Sequence, residues 1–78
     1  MELILLTPEG EVFRGPVEKV TLPGVSGQFT VLPRHAALIS ALENGTIAYR
    51  TGGEEKTFAV KSGFVEVNRD VVSVCAEQ

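Results

Sequence analysis

Residues Leu22–Leu42 read LPGVSGQFTVLPRHAALISAL, and the reading of this stretch decides the fold class. In its middle, Phe29 and Val31 share one face of an extended chain while Gln28 and Thr30 share the other, the two-residue period of a half-buried strand. Gln28 therefore points outward. Gly24-Val25-Ser26-Gly27 enters this strand as a turn. It is Gly-rich, but it lacks the Lys-Ser/Thr ending of a phosphate loop and leads into a strand instead of a helix. At the far end Pro33 has no N–H and disfavours helix for the residue before it. The strand is thus expected to end at Leu32 and to leave Arg34 and His35 on an exposed corner. Polar turn tips of this kind are contact surfaces more often than catalytic centres. The following run, Ala36–Leu42, does not separate helix from strand by its pattern. A strand is favoured, because Asn44-Gly45 directly after it fits a return into a strand at Thr46.

Outward from this stretch, turn signals recur at Pro8-Glu9-Gly10, Pro23-Gly24, Pro33-Arg34, Asn44-Gly45, Gly52-Gly53, Ser62-Gly63 and Asn68-Arg69-Asp70. Between them lie short runs rich in Val, Ile, Phe and Thr, which predicts an all-β fold of many short antiparallel strands closed as a sandwich or barrel. Ile47 and Tyr49 oppose Thr46, Ala48 and Arg50; Phe58 and Val60 oppose Thr57, Ala59 and Lys61. Thr46–Lys61 reads as one hairpin, with Glu54, Glu55 and Lys56 near its tip. Phe64–Val67 and Val71–Cys75 read as a second hairpin, turned by Asn68, Arg69 and Asp70. Glu66, between two valines, faces away from the core set. Phe13 and Val17 lie on odd positions but Val20 and Leu22 on even ones. A bulge or bend at Gly15-Pro16 is therefore expected to let one long strand serve both sheets.

The chain has 78 residues, room for one domain, and 44% of them are hydrophobic. A domain of this size buries only about 60% of the surface its unfolded chain exposes. A single cysteine, Cys75, rules out an internal disulfide and favours a reducing compartment. The net charge of −3, with no basic cluster, argues against nucleic acid as a partner. The apolar run Leu3–Leu6 is too short for a signal-peptide core or a membrane span, so no direct membrane insertion is expected, though attachment to a membrane complex is compatible.

Little in the chain points to catalysis. Cys75 and His35 are the only residues of their kinds and stand far apart in sequence, so neither a nucleophile–base pair nor a zinc site of three or four ligands is expected. Cys75 reads as a small hydrophobe in a terminal strand, and His35 as a hydrogen-bonding residue of a turn unless a partner gives it a role. No catalytic, metal or cofactor residue and no small-molecule substrate is expected. Two other classes stay open. Biotinyl and lipoyl carrier domains are β-rich and of similar length, but need a lysine at a hairpin tip flanked by methionine or by an acidic residue and alanine; Lys56 stands between Glu55 and Thr57. A small hydrolase would need a catalytic inventory that is thin here.

Several ordered segments, among them Thr7-Pro8-Glu9-Gly10, Val12-Phe13-Arg14-Gly15, Val17-Glu18-Lys19-Val20, Gly27-Gln28-Phe29, Leu32-Pro33-Arg34-His35-Ala36 and Gly63-Phe64-Val65-Glu66-Val67, together resemble the epsilon subunit of F-type ATP synthase over nearly the whole chain. The resemblance implies a small antiparallel β-sandwich of about ten strands over residues 1–78, without the C-terminal helical hairpin usual in the family. It also implies a non-catalytic role in the central stalk, peripheral on the cytoplasmic face of an energy-coupling membrane. The implied partners are the gamma subunit and the membrane ring of c subunits. The positions that lie against the ring in the family correspond to Gln28 and Pro33-Arg34-His35, and Gln28, Leu32, Arg34 and His35 are expected to cluster as the ring-facing end. The gamma-facing positions fall near Thr7 and Ser40. The family often carries Glu at the place of Gln28, a small residue at Arg34 and proline at Ala37, so a charge pair with a ring loop becomes a neutral hydrogen bond at Gln28.

Overall fold

Alternation of apolar and polar side chains becomes nine strands and no helix in the computed structural model, which describes residues 1–78. The strands are β1 Glu2–Thr7, β2 Gly10–Pro16, β3 Lys19–Gly24, β4 Gly27–Val31, β5 Leu38–Leu42, β6 Gly45–Thr51, β7 Glu54–Val60, β8 Ser62–Asn68 and β9 Val71–Glu77. They form one hydrogen-bonded path, β2-β1-β9-β8-β5-β3-β6-β7, with β4 added to β3. The path folds over on itself where β5 meets β3 through the single pair Gly24 and Leu42. One layer then holds β2, β1, β9, β8 and β5, and the other holds β7, β6, β3 and β4. Gly24 is needed at this hinge, because a Cβ there would stand 2.8 Å from both the Gly27 carbonyl and the Phe29 ring.

The core lies between the layers. Leu3 and Leu5 of β1, Val65 and Val67 of β8, and Val72, Val74 and Ala76 of β9 face Val20 and Leu22 of β3, Val31 of β4, and Ile47 and Tyr49 of β6. Every buried residue in this set sits at an alternate position of its strand, and no polar or charged residue is buried. Phe13 of β2 closes one open side by tilting against Tyr49 of β6, with ring centroids 4.9 Å apart and planes at 47°. Burial pushes the Tyr49 phenol above its ordinary value of 10.0.

The β-sandwich expected from the sequence is present, with nine strands. Both hairpins form, β6 with β7 and β8 with β9. Ala36–Leu42 supplies β5 from Leu38 onward. Three details differ. The segment from Phe13 to Leu22 is not one long strand: it breaks at Val17 and Glu18, whose N–H groups donate to the Met1 and Arg50 carbonyls, each at 2.8 Å. The bulge lies earlier, where the partner of β1 shifts from Phe13 to Glu11 and leaves Val12 unpaired. And β1 runs parallel to β9, the one parallel pair in the sheet.

Gly63 of β8 packs so closely on β9 that a Cβ would collide with the Cys75 carbonyl. Gly63→Ala should therefore lower stability by roughly 1–3 kcal/mol, the usual effect of overpacking. The check is the midpoint of urea denaturation; an unchanged midpoint would mean that the two strands separate easily at this point.

Candidate functional site

The two outer faces of the sandwich differ in chemistry. On the layer built around β3, Lys19, Thr21, Thr30, Ala48, Arg50 and Thr57 point outward, and the Thr21 and Thr30 hydroxyls pair at 3.0 Å. On the other layer, strand register sets Leu6, Cys75, Phe64 and Ala41 side by side across β1, β9, β8 and β5. The next row holds Ile4, Ser73, Glu66 and Ile39. Phe64 is 64% exposed and Ile39 77% exposed, so this face keeps large apolar side chains in water. A shallow trough of about 720 Å³ runs beside them, lined by Leu6, Thr7, Pro8, Ala41, Phe64 and Cys75. An exposed ion pair, Arg14 Nε to Glu11 Oε1 at 2.8 Å, marks the β2 margin of the face.

Thr7 borders this trough, and its hydroxyl is already used. It donates to the Gly10 carbonyl and accepts from the Glu9 N–H, each at 3.2 Å, which holds the β1–β2 turn. Ser40 is half-buried, in the inward-facing row with Leu38 and Leu42, and donates to the Ala41 carbonyl at 3.0 Å. Its neighbours Ile39 and Ala41 are the residues of β5 that reach the outer face.

The corner after β4 is a turn built by proline. The His35 N–H donates to the Leu32 carbonyl at 3.1 Å, with Pro33 second in the turn and Arg34 third. Arg34 has φ 66°, the left-handed region, as the third residue of a type II turn requires. Glycine suits that place; an arginine there stores roughly 1–3 kcal/mol of strain. An aspartate distant in sequence meets the strained residue, since Asp70 Oδ1 accepts the Arg34 N–H at 2.8 Å. Asp70 lies in the β8–β9 turn, where it and Arg69 are also left-handed, at φ 65° and 51°. Its carbonyl accepts the Glu2 N–H at 3.0 Å, and its Oδ2 lies 3.3 Å from the Met1 amino group. The Arg34 N–H, and after it the Met1 amino group, hold the Asp70 carboxyl below its ordinary value of 3.8.

Leu32, Arg34 and His35 are thus brought together, all exposed, with the His35 Nδ1 at 2.7 Å from the Ala36 carbonyl. Gln28 is not part of that corner. It is exposed beside the β3–β4 turn, paired with Pro23, about 13 Å along the extended chain from Leu32. Gln28 lies near the start of β4 and the other three just past its end; β4 pairs only with β3 and leaves its other edge free. Lys56 is not at a hairpin tip either. The turn is Gly52-Gly53, and Lys56 lies within β7 opposite Tyr49, a geometry unlike a swinging-arm lysine. Glu66 faces outward as the sequence suggests, and it carried the missed signal: Phe64, two residues away, must share its face. No group of three or more His, Cys, Asp or Glu stands together as a metal site, and no helix is long and apolar enough to cross a membrane.

A folded-over sheet with one polar face, one face carrying exposed apolar side chains and a pinned corner defines a small β-sandwich domain. The family described as "ATP synthase, Delta/Epsilon chain, beta-sandwich domain" matches residues 1–78, and the chain belongs to it. Among its relatives are the ATP synthase epsilon chains of Sulfurovum sp., 44% identical over 90% of this chain, and of Wolinella succinogenes, 42% identical over 99%. The chain spans only 56% and 60% of the length of these two relatives. Two solved structures share the fold. A chain of the Euglena gracilis mitochondrial ATP synthase, in a structure of OSCP, F1 and c-ring, superposes with a TM-score of 0.90 at 24% identity over 97% of this chain and 49% of its own. A chain of the Tetrahymena thermophila enzyme, in a structure of the central stalk and c-ring, gives 0.82 at 19% identity over 99% and 63%.

The lowered Asp70 pKa fixes the sign of a pH effect. The charged form is favoured on folding, so the stabilisation is fully present above the ordinary value of 3.8 and is lost as pH falls through the lowered folded value. Denaturation curves of the protein and of Asp70→Asn should run parallel above about pH 5 and converge below it. Parallel behaviour down to pH 3 would show that the carboxylate has no favoured ionised state in the fold.

Proposed function

We propose that this chain is the sandwich of a non-catalytic central-stalk subunit of F-type ATP synthase. It binds gamma with its apolar face and the c-ring with the β4 edge and corner, coupling proton-driven rotation to ATP synthesis. The observation that carries this reading is the apolar row Leu6, Cys75, Phe64 and Ala41 on one outer face, with Phe64 64% exposed, in a chain of this family. Burying Phe64 and Ile39 against a partner would remove large apolar side chains from water. Thr7 at the trough margin then lies at the rim of a gamma-facing surface, and Ser40, turned inward on β5, lies beneath it between Ile39 and Ala41. Gln28, Leu32, Arg34 and His35 form the ring-facing line. Leu32, 52% exposed, supplies apolar contact there, and Arg34 adds a cation. The complex would sit on the cytoplasmic face of an energy-coupling membrane, reached through its partners.

The mechanical requirement is stiffness. Torque crosses a joint only if the joint does not slip, and a sandwich held on two surfaces meets that need with no bond made or broken. Phe64→Ser should leave stability within about 0.5 kcal/mol, as for an exposed position. It should weaken binding to gamma about tenfold or more if Phe64 anchors that interface. Arg34→Ala together with His35→Ala should reduce ATP synthesis driven by a proton gradient in the assembled complex while the protein stays folded. Undiminished synthesis would remove the corner from the ring-facing surface, and undiminished gamma binding would remove the apolar face from the other.

A further inference from the structure

We infer that Asp70 is a positioning residue for the corner: its carboxylate holds Arg34 in the left-handed turn and so fixes where the Arg34 and His35 side chains point. The inference rests on the reading of that corner as ring-facing. In a turn of this type the N–H of the third residue is not used by the turn itself, which is closed by His35 N–H to the Leu32 carbonyl. The Arg34 N–H is instead taken by Asp70 Oδ1 at 2.8 Å, across 36 residues of sequence. Arg34 lacks the conformational freedom of glycine, so an external acceptor is what favours its φ of 66° over extended alternatives.

The anchor is itself well placed. Asp70 is fixed by the β8–β9 turn, and its carbonyl accepts the Glu2 N–H, so it stands on the register of β8, β9 and β1. The corner is thereby referenced to the layer that carries the apolar face. Without that contact the segment from Leu32 to Ala37 is a connection held only by its turn bond and the local His35 Nδ1–Ala36 carbonyl contact.

The test uses Asp70→Gly, which removes the carboxylate yet suits the left-handed φ of 65° at that place, and Asp70→Asn, whose amide oxygen still accepts. Amide exchange of Arg34 in the full-length chain should accelerate about tenfold in Asp70→Gly and stay near normal in Asp70→Asn. In the assembled ATP synthase, Asp70→Gly should lower proton-driven synthesis as Arg34→Ala does, with Asp70→Asn restoring it. In an Arg34→Gly background, where the turn needs no help, adding Asp70→Gly should change synthesis no further. Unchanged Arg34 exchange in Asp70→Gly overturns the inference. So does faster exchange with full synthesis, provided that Arg34→Ala and His35→Ala impair it. If those two variants also leave synthesis intact, the ring-facing reading has failed instead, and the exchange result still decides whether Asp70 holds the turn.

Discussion

A two-residue period gives every strand one apolar side, and in a unit built of strands alone only another part of the sheet can cover it. The sheet must cover itself. It does so by folding over at the Gly24 and Leu42 pair, which sets fifteen side chains into one core. The fold-over also lets the backbone stay paired through the bend, where the Val25 and Glu43 N–H groups reach the Ala41 and Pro23 carbonyls. Whatever is not used in that closure is left on the outside. The two outer faces, the free edge of β4 and the corner after it are therefore consequences of where the sheet bends.

The strands themselves were legible in the sequence, because alternation is a local property. Ile47 with Tyr49 and Phe58 with Val60 fall inward as their spacing indicates. Pairing between distant strands was not legible. Nothing in Leu3–Leu6 or Val72–Cys75 says that β1 and β9 run side by side in the same direction, since a strand's pattern names its buried face and not its neighbour. The change of parity after Phe13 was visible, but sequence could not place the irregularity, which is divided between Val12 and the break at Val17-Glu18. Of the candidate site, the exposed corner at Arg34 and His35 follows from Pro33 alone. Gln28 stands at the other end of β4 from that corner, because an extended strand separates its two ends by its full length. The contact between Arg34 and Asp70 joins two turns from opposite halves of the chain and has no local signature.

The two surfaces differ in area and in chemistry. The apolar face offers area, with large side chains such as Phe64 and Ile39 beside Glu66 and the Arg14–Glu11 pair at its margin. The corner offers one cation, one imidazole and one leucine on a turn, a small contact whose geometry counts for more than its area.

The side-by-side arrangement of the first and last strands has a bearing on how the molecule is made. A ribosome releases β1 long before β9, and until the later strand arrives, β1 has only β2 beside it. The leading hairpin must therefore wait, its leucines shielded by nothing permanent, for the residues near Val72 and Val74. Completion of this sandwich therefore waits for β9, because the seam between β1 and β9 joins the first and last strands of the domain.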